Sequence, residues 1–498
     1  MMNGDMRRVP ALRLLQVVLL ALVFGALVPT SCKKRNDPPG IPAVPSGLPY
    51  GRVGAAYSFS SAATDPDSDS VAIRFDWGDG DTSHWSDWVR PGDTVTMSHT
   101  WSAAGSFSVR AAAQTRYSDA SEWSNALDLA IYYEWVWRFG GAWDDSVVSV
   151  QQTSDGGCIA TGSYDVDRDS RPRLLLVKMD AAGNPVWTRM YGDEMRSWGR
   201  SVVQARDGGY VVAGCKWTTG WDLWLIKTDA EGNTVWERTY GGSEWDEGCS
   251  IQQTADGGYI VTGFTWSFGA GGCSVWLLRT NADGDTTWTR TFGQGWCEGR
   301  SVQQTRDGGC VVAAICEDSS GDAFRLIKTD ASGNATWTRN CGDAPIYYGG
   351  MSVQQSGDGG YVVCGTSRVG ERGGNDALLV RTDSLGQVLW TKSYGGEHDD
   401  WANSVIEAPD GGLIIVGNTA SYTTFRDHNV WLIKTYSNGD TVWTRTYGWA
   451  HNDMGYSVQL ASDGGYIIAG KTWSADSRAQ VLLIKTDAEG RLDLGDGQ

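Results

Sequence analysis

The triplet Asp-Gly-Gly recurs at Asp155, Asp207, Asp256, Asp307, Asp358, Asp410 and Asp463, a spacing of about 50 residues. A tryptophan follows six of these triplets, at Trp187, Trp236, Trp288, Trp337, Trp390 and Trp443. A short repeat of this kind cannot bury its apolar faces alone and must stack on its neighbours. A period near 50 is the size of one β-propeller blade.

Within each copy four short segments are rich in Val, Ile, Leu, Thr, Tyr and Trp, as in Ser301–Thr305, Tyr210–Gly214, Trp224–Asp229 and Val442–Gly448. None shows helical spacing and each is too short for a helix, so all read as strands. The second and third are apolar almost throughout, as expected of strands covered on both faces. Asp-Gly between the first two marks a tight hairpin. A glycine recurs between the third and fourth, at Gly183, Gly232, Gly284, Gly333, Gly386, Gly439 and Gly490, marking a backbone position that favours a left-handed conformation.

The last copy ends without a fourth strand, whereas Trp135–Gly141 precedes the first copy and matches the fourth-strand pattern WTRTYGG. The expectation is an all-β chain whose seven-bladed propeller spans 133–498, with segment 133–141 completing the last blade. Sharing a blade between the chain's two ends removes exposed strand edges.

Ahead of the repeats, Arg7, Arg8 and Arg13 precede the apolar run Leu14–Val28, the pattern of an export leader. Ser31-Cys32 resembles the bacterial lipobox, which implies a signal peptide over 1–31, lipidation of Cys32 and anchorage to the cell envelope; ordinary signal-peptidase cleavage and secretion is the alternative. Residues 32–47 read as a proline-rich spacer. Removing 1–31 takes away three basic and one acidic side chain, leaving 38 basic and 58 acidic, net −20. So acidic a surface disfavours nucleic acid.

Residues 48–132 change pattern: Val71, Ile73, Phe75 and Trp77 alternate before Gly78-Asp79-Gly80 turns the chain, and further alternating runs follow. This reads as an antiparallel sandwich. Phe75-Asp76-Trp77-Gly78-Asp79-Gly80, His99-Thr100-Trp101 and Gly105–Val109 resemble the PKD domain, which implies an Ig-like extracellular spacer or binding module. The element Asp229, Gly232, Asn233, Trp236 resembles the tryptophan-docking motif of quinoprotein-type propellers, which implies that the recurrent Trp packs between blades. The whole repeat is similar to arrays in exported, mostly uncharacterised bacterial proteins.

Candidate chemistry is sparse. Asp65, Asp67 and Asp69 alternate on a loop and read either as calcium ligands or as a solvated turn; no other cofactor is expected. Catalytic motifs and a CxxC pair are missing. Nine cysteines beyond Cys32 read as small buried residues, with at most a disulfide among blades two to four. Propeller topology gathers the fourth-to-first and second-to-third loops on one rim, with Trp143, Trp198, Trp221, Trp245, Trp266, Trp296, Trp401 and Trp449 beside Asp145, Asp246, Asp400 and Asp453. Indole planes with carboxylates suit sugars and protein partners alike. The same residues also read as loop packing and backbone capping. The expectation is a monomeric, non-catalytic envelope protein that binds a glycan or an extracellular protein. The alternative is a polysaccharide-degrading enzyme that uses rim carboxylates.

Overall fold

The computed structural model describes residues 36–141, 143–166, 171–192, 196–293, 295–318, 321–342, 351–367, 374–423, 427–449, 451–473 and 478–492. Every element in it is a strand. Cys32 and the leader lie outside the described residues.

In the amino-terminal module one sheet runs Tyr50–Arg52, Leu127–Tyr132, Gly105–Thr115, Val71–Asp76, and a second pairs Ala56–Ser61 with Val95–Thr100. Phe59, Ile73, Phe75, Trp77, Trp101 and Ile131 fill the space between them. Trp77 stacks on His99 at 4.9 Å between ring centroids, and Asp79 hydrogen-bonds His99 Nε2 at 2.7 Å. The Trp-Gly-Asp-Gly turn and the later histidine are thus two halves of one clasp.

Seven four-stranded antiparallel sheets follow. The first comprises Ser146–Gln152, Cys158–Asp165, Pro172–Met179 and Pro185–Tyr191; the seventh comprises Asp453–Leu460, Tyr466–Trp473, Ala479–Lys485 and Trp135–Phe139. In that last sheet Val481 pairs with Phe139 and Lys485 with Trp135, so the strand entering the propeller is the outer strand of its final blade.

Three sets of contacts hold the ring. Within each blade the hairpin aspartate takes the third-strand Lys or Arg at 2.6–2.9 Å, from Asp155–Lys178 to Asp463–Lys485. Around the channel the motif Ser-Val-Gln-Gln ties blade to blade. Ser149 Oγ accepts Val202 N–H at 3.2 Å, and Gln151 Oε1 accepts Gln204 N–H at 2.5 Å. The serine bond recurs from blades two, three and four, and Ser457 makes it from blade seven to Val150 of blade one at 3.4 Å. Between blades five and six Gln354 Oε1 accepts Glu407 N–H, and between six and seven Asn403 donates to Gly455 O. These inner strands face a channel, so their hydroxyl and amide side chains satisfy neighbouring backbone groups that no further strand covers.

On the outside, each fourth-strand Trp lies on the turn glycine of the next blade. The seven turn glycines have φ between +66° and +83°. A β-carbon on Gly183 would collide with Trp135, and one on Gly232, Gly284, Gly333, Gly386, Gly439 or Gly490 would come within 2.6–3.1 Å of the preceding blade's indole. The indole N–H of Trp135 donates to Ala181 O and that of Trp187 to Ala230 O, both at 3.2 Å. The glycine is therefore doubly required, by conformation and by the indole pressed on it.

The first strands are longer than the Ser-Val-Gln-Gln motif. Most begin four residues earlier and cross a bulge just before the serine, as between Gly248 and Ser250. The bulge breaks the two-residue alternation, which hides the first half of the strand from pattern reading.

Trp135→Ala is expected to lower stability by about 3–5 kcal/mol, as for loss of a large core aromatic. Gly183→Ala should also destabilise, through the same contact. The two changes should therefore be clearly less than additive in a double-mutant cycle read by urea denaturation; full additivity would refute the contact.

Candidate functional site

The two loop sets share one rim, because their backbones bond pairwise. Trp217 N–H donates to Arg196 O, Trp266 N–H to Trp245 O, Ala420 N–H to Asp399 O and Trp473 N–H to Asn452 O, at 2.8–3.0 Å. The opposite rim carries the Asp-Gly-Gly turns and the docking glycines. There Arg491 lies 4.2 Å from the ring of Tyr50, so the amino-terminal sandwich contacts the rim away from these loops.

The four rim aspartates are fully buried. Each accepts the amide four residues upstream: Asp145 from Gly141 at 2.6 Å, Asp246 from Gly242 at 2.8 Å, Asp400 from Gly396 at 2.9 Å and Asp453 from Trp449 at 2.8 Å. Asp246 and Asp400 also accept Ser267 and Ser421 hydroxyls at 2.6 Å. Three of the four are the first residues of strands and not loop residues. They hold the loops from beneath and present no free carboxylate edge to solvent. Blade four replaces this cap by a disulfide, Cys297–Cys316, in the register that Asp246 and Thr265 occupy in blade three. The remaining described cysteines are free.

The rim tryptophans divide into two groups. Trp401 stacks on His428 at 4.7 Å, Trp449 is covered by the Arg138 guanidinium at 3.9 Å, and Trp296 packs against the core between blades four and five. Trp143 lies 6.0 Å from the Arg478 guanidinium. On blades two and three the rings run on: Trp198 to Trp221 at 4.4 Å, Trp221 to Trp217 at 5.2 Å, Trp221 to Trp245 at 6.5 Å. Trp217 is 40% exposed, Trp245 43%, Trp266 45% and Phe268 44%. No comparable group of exposed rings occurs elsewhere on this rim among the described residues.

At the inner edge of this face, Glu247 Oε1 accepts both Trp198 Nε1 at 2.9 Å and Arg200 Nε at 2.5 Å. Glu247 is buried, and its charge beside Arg200 holds that guanidinium fully protonated. Beside Trp198 a cleft of about 360 Å³ opens over blade one, lined by Asp144, Asp145, Ser146, Ser163, Asp165 and Lys471 among others. Burial raises the Asp145 carboxyl to about 6 and lowers Lys471 from its usual range. Phe268, Lys471 and the two serines escaped sequence reading; comparing the repeats position by position would have exposed the serines.

The structure does not gather Asp65, Asp67 and Asp69 around a common point. Asp65 Oδ1 instead accepts the amides of Asp67 at 3.0 Å and Asp69 at 2.8 Å, and Asp67 Oδ2 accepts Asp37 N–H at 2.9 Å. Among the described residues no group of three His, Cys, Asp or Glu side chains is placed to hold a metal ion.

Together the sheets define an all-β protein, a sandwich followed by a seven-bladed propeller. Residues 41–127 match the PKD domain family, so the sandwich is a PKD domain. That segment is similar to the PKD domain of an M14-like peptidase from Thermoplasmatales archaeon SCGC AB-540-F20, at 35% identity over 19% of this chain and 97% of that one, with a TM-score of 0.18. The chain is also similar to the β-propeller domain of the Trilobed protease from Pyrococcus furiosus (10% identity, 72% of this chain and 100% of that one, TM-score 0.40). Sqt1 from Chaetomium thermophilum is comparable, with 12% identity, coverage of 68% and 96%, and a TM-score of 0.40. No curated protein matches the chain.

The pH dependence of stability follows from opposed carboxylates. In the hairpin clasps Asp155, Asp207, Asp307, Asp358 and Asp410 are lowered, and Asp256 falls to about 2, through bonds to hydroxyls, amides and their Lys or Arg partners. Their contribution is complete above the unfolded value near 4 and is lost as pH falls towards about 2. Asp145 has the opposite sign: its contribution fades as pH rises from about 4 to about 6. Asp145→Asn should flatten the melting-temperature profile between those values and leave the acid limb unchanged; a profile unaltered between pH 4 and 6 would contradict the burial argument.

Proposed function

We propose that this protein is a non-catalytic, exported glycan-binding protein whose contact surface is the aromatic face of blades two and three. The observation that carries the reading is the localisation of exposed rings, Trp217, Trp245, Trp266 and Phe268, on two adjacent blades, while the other rim tryptophans are stacked or covered. Exposed aromatic clusters of this kind mark contact surfaces. A sugar offers C–H faces to indoles and hydroxyls to polar neighbours, and the face adjoins a polar cleft. A protein partner would use the same rings as apolar anchors, so it is the competing outcome of the test.

Anchorage is part of the proposal. The leader and Ser31-Cys32 support a lipid-modified amino terminus, with the proline-rich spacer and PKD domain between membrane and propeller. The PKD domain contacts the rim opposite the aromatic face, so that face would point outward from the envelope. Cys32→Ser should release the protein from the membrane fraction into the soluble one; unchanged fractionation would refute lipid anchorage.

The second reading, a polysaccharide-degrading enzyme, draws on the raised Asp145 carboxyl in the cleft. Against it, both Asp145 oxygens accept backbone amides, from Gly141 and Asp165. Glycoside cleavage needs two carboxyl groups roughly 5–9 Å apart across the scissile bond. A glycan array with the mature protein, combined with a reducing-end assay, separates the readings. Trp217→Ala with Trp245→Ala should weaken polysaccharide retention by about tenfold, equivalent to about 1.4 kcal/mol, with an unchanged melting temperature because both rings are exposed. Turnover abolished by Asp145→Asn would overturn the binding reading, as would retention indifferent to the tryptophans.

A further inference from the structure

One cross-strand pair near the rim occupies the same register in the six blades described there and differs in each. It is Trp198 with Cys215 in blade two, Glu247 with Phe264 in blade three, Glu298 with Ile315 in blade four, Trp401 with Asn418 in blade six and Met454 with Lys471 in blade seven. In blade one the pair is Ser146 with Ser163, whose hydroxyls lie 3.2 Å apart. Two small side chains stand where the five other blades described at this register carry at least one large one; in blade five the sequence sets Gly349 and Thr366 at these positions, and Gly349 lies outside the described residues. The missing volume is the cleft, and its opposite walls are the neighbouring blades' own members of this pair, Trp198 and Lys471. Among the six blades described at this register, blade one is thus the one that opens into a cavity.

We infer that this cleft is a binding pocket for a single neutral pyranose. A cavity of about 360 Å³ is of small-ligand size. Its floor offers two hydroxyls. Its walls offer an indole on one side and, on the other, an ammonium held 4.5 Å from the Trp473 ring and 5.8 Å from the Tyr456 ring. Asp144 and Asp165 supply carboxylates at its edge. Vicinal hydroxyls can accept from an ammonium and donate to a carboxylate at once, while the sugar's C–H face lies on the indole. Charge selects against the alternatives. Asp144, Asp145 and Asp165 oppose an anionic sugar, because the second cation at the cleft, Arg200, is engaged by Glu247. Lys471 opposes a cationic one.

The inference rests on the glycan reading of the adjacent face, to which Trp198 connects the cleft, but it is separable by experiment. The test is saturation-transfer NMR on the mature protein with methyl β-D-galactopyranoside, methyl α-D-mannopyranoside and methyl β-D-glucopyranoside, and glucuronate as the charged comparison. At least one neutral glycoside should bind saturably in the millimolar range. Ser146→Met with Ser163→Phe fills the cleft with residues that blades seven and three already carry at these positions. It should weaken that binding by about tenfold or more while the melting temperature holds. Trp217→Ala with Trp245→Ala should leave it intact. Absence of binding by all three glycosides, preference for glucuronate, or indifference to the filled cleft would each overturn the pocket. Polysaccharide retention lost only in the tryptophan variant, with no glycoside bound by the wild type, would leave the face standing and remove the cleft.

Discussion

The ring stands on an indole pressed against a glycine. In every blade the fourth-strand tryptophan sits where the next blade's turn has no side chain, and the turn's left-handed backbone is the conformation that brings its carbonyls within reach. One such contact is an ordinary aromatic packing interaction. Seven in a circle make each blade's outer strand the seat of its neighbour, so a blade cannot be displaced without exposing two indoles. The inner Ser-Val-Gln-Gln belt does the same at the channel with hydrogen bonds. Apolar contact outside and polar contact inside divide the work as burial requires.

Much of this was legible in the sequence because repetition amplifies weak signals. One Asp-Gly-Gly marks a turn; seven at a fixed spacing mark blades. The docking glycines and tryptophans stood out for the same reason, as did Trp135–Gly141, which copies the fourth-strand pattern before the first repeat and lies beside Val481–Lys485 in the structure. What repetition could not convey was register. The bulge before the serine hid the first half of most first strands, so Asp246, Asp400 and Asp453 read as rim-loop residues although they begin strands; the alternative reading, that they cap backbone amides, is the one their hydrogen bonds follow. Exposure was equally hidden. Trp401 and Trp245 look alike in the chain, and only the stack on His428 and the open surroundings of blade three tell them apart.

Function in such a molecule is sought where the repeat fails. The disulfide in blade four, the aromatic face on blades two and three, and the serine pair of blade one are all departures from a regular unit. The first replaces one means of holding a loop by another and adds no surface. The second and third add an exposed apolar platform and a polar cavity, side by side and joined through Trp198. The PKD domain, set against the far rim, leaves both open.

Closure by the amino-terminal strand is the claim on which the remaining geometry depends, since the rim exists only if blade seven abuts blade one. Native-state hydrogen exchange on the amides of residues 135–139 tests it most directly. Closure predicts that the amides of 135–139 turned towards 481–485 are protected as well as those of 481–485 and exchange only through global unfolding, while the alternate amides, on the open side of this outer strand, exchange freely. Rapid exchange at every amide of 135–139 beside a protected 481–485 would show an open ring and contradict the account.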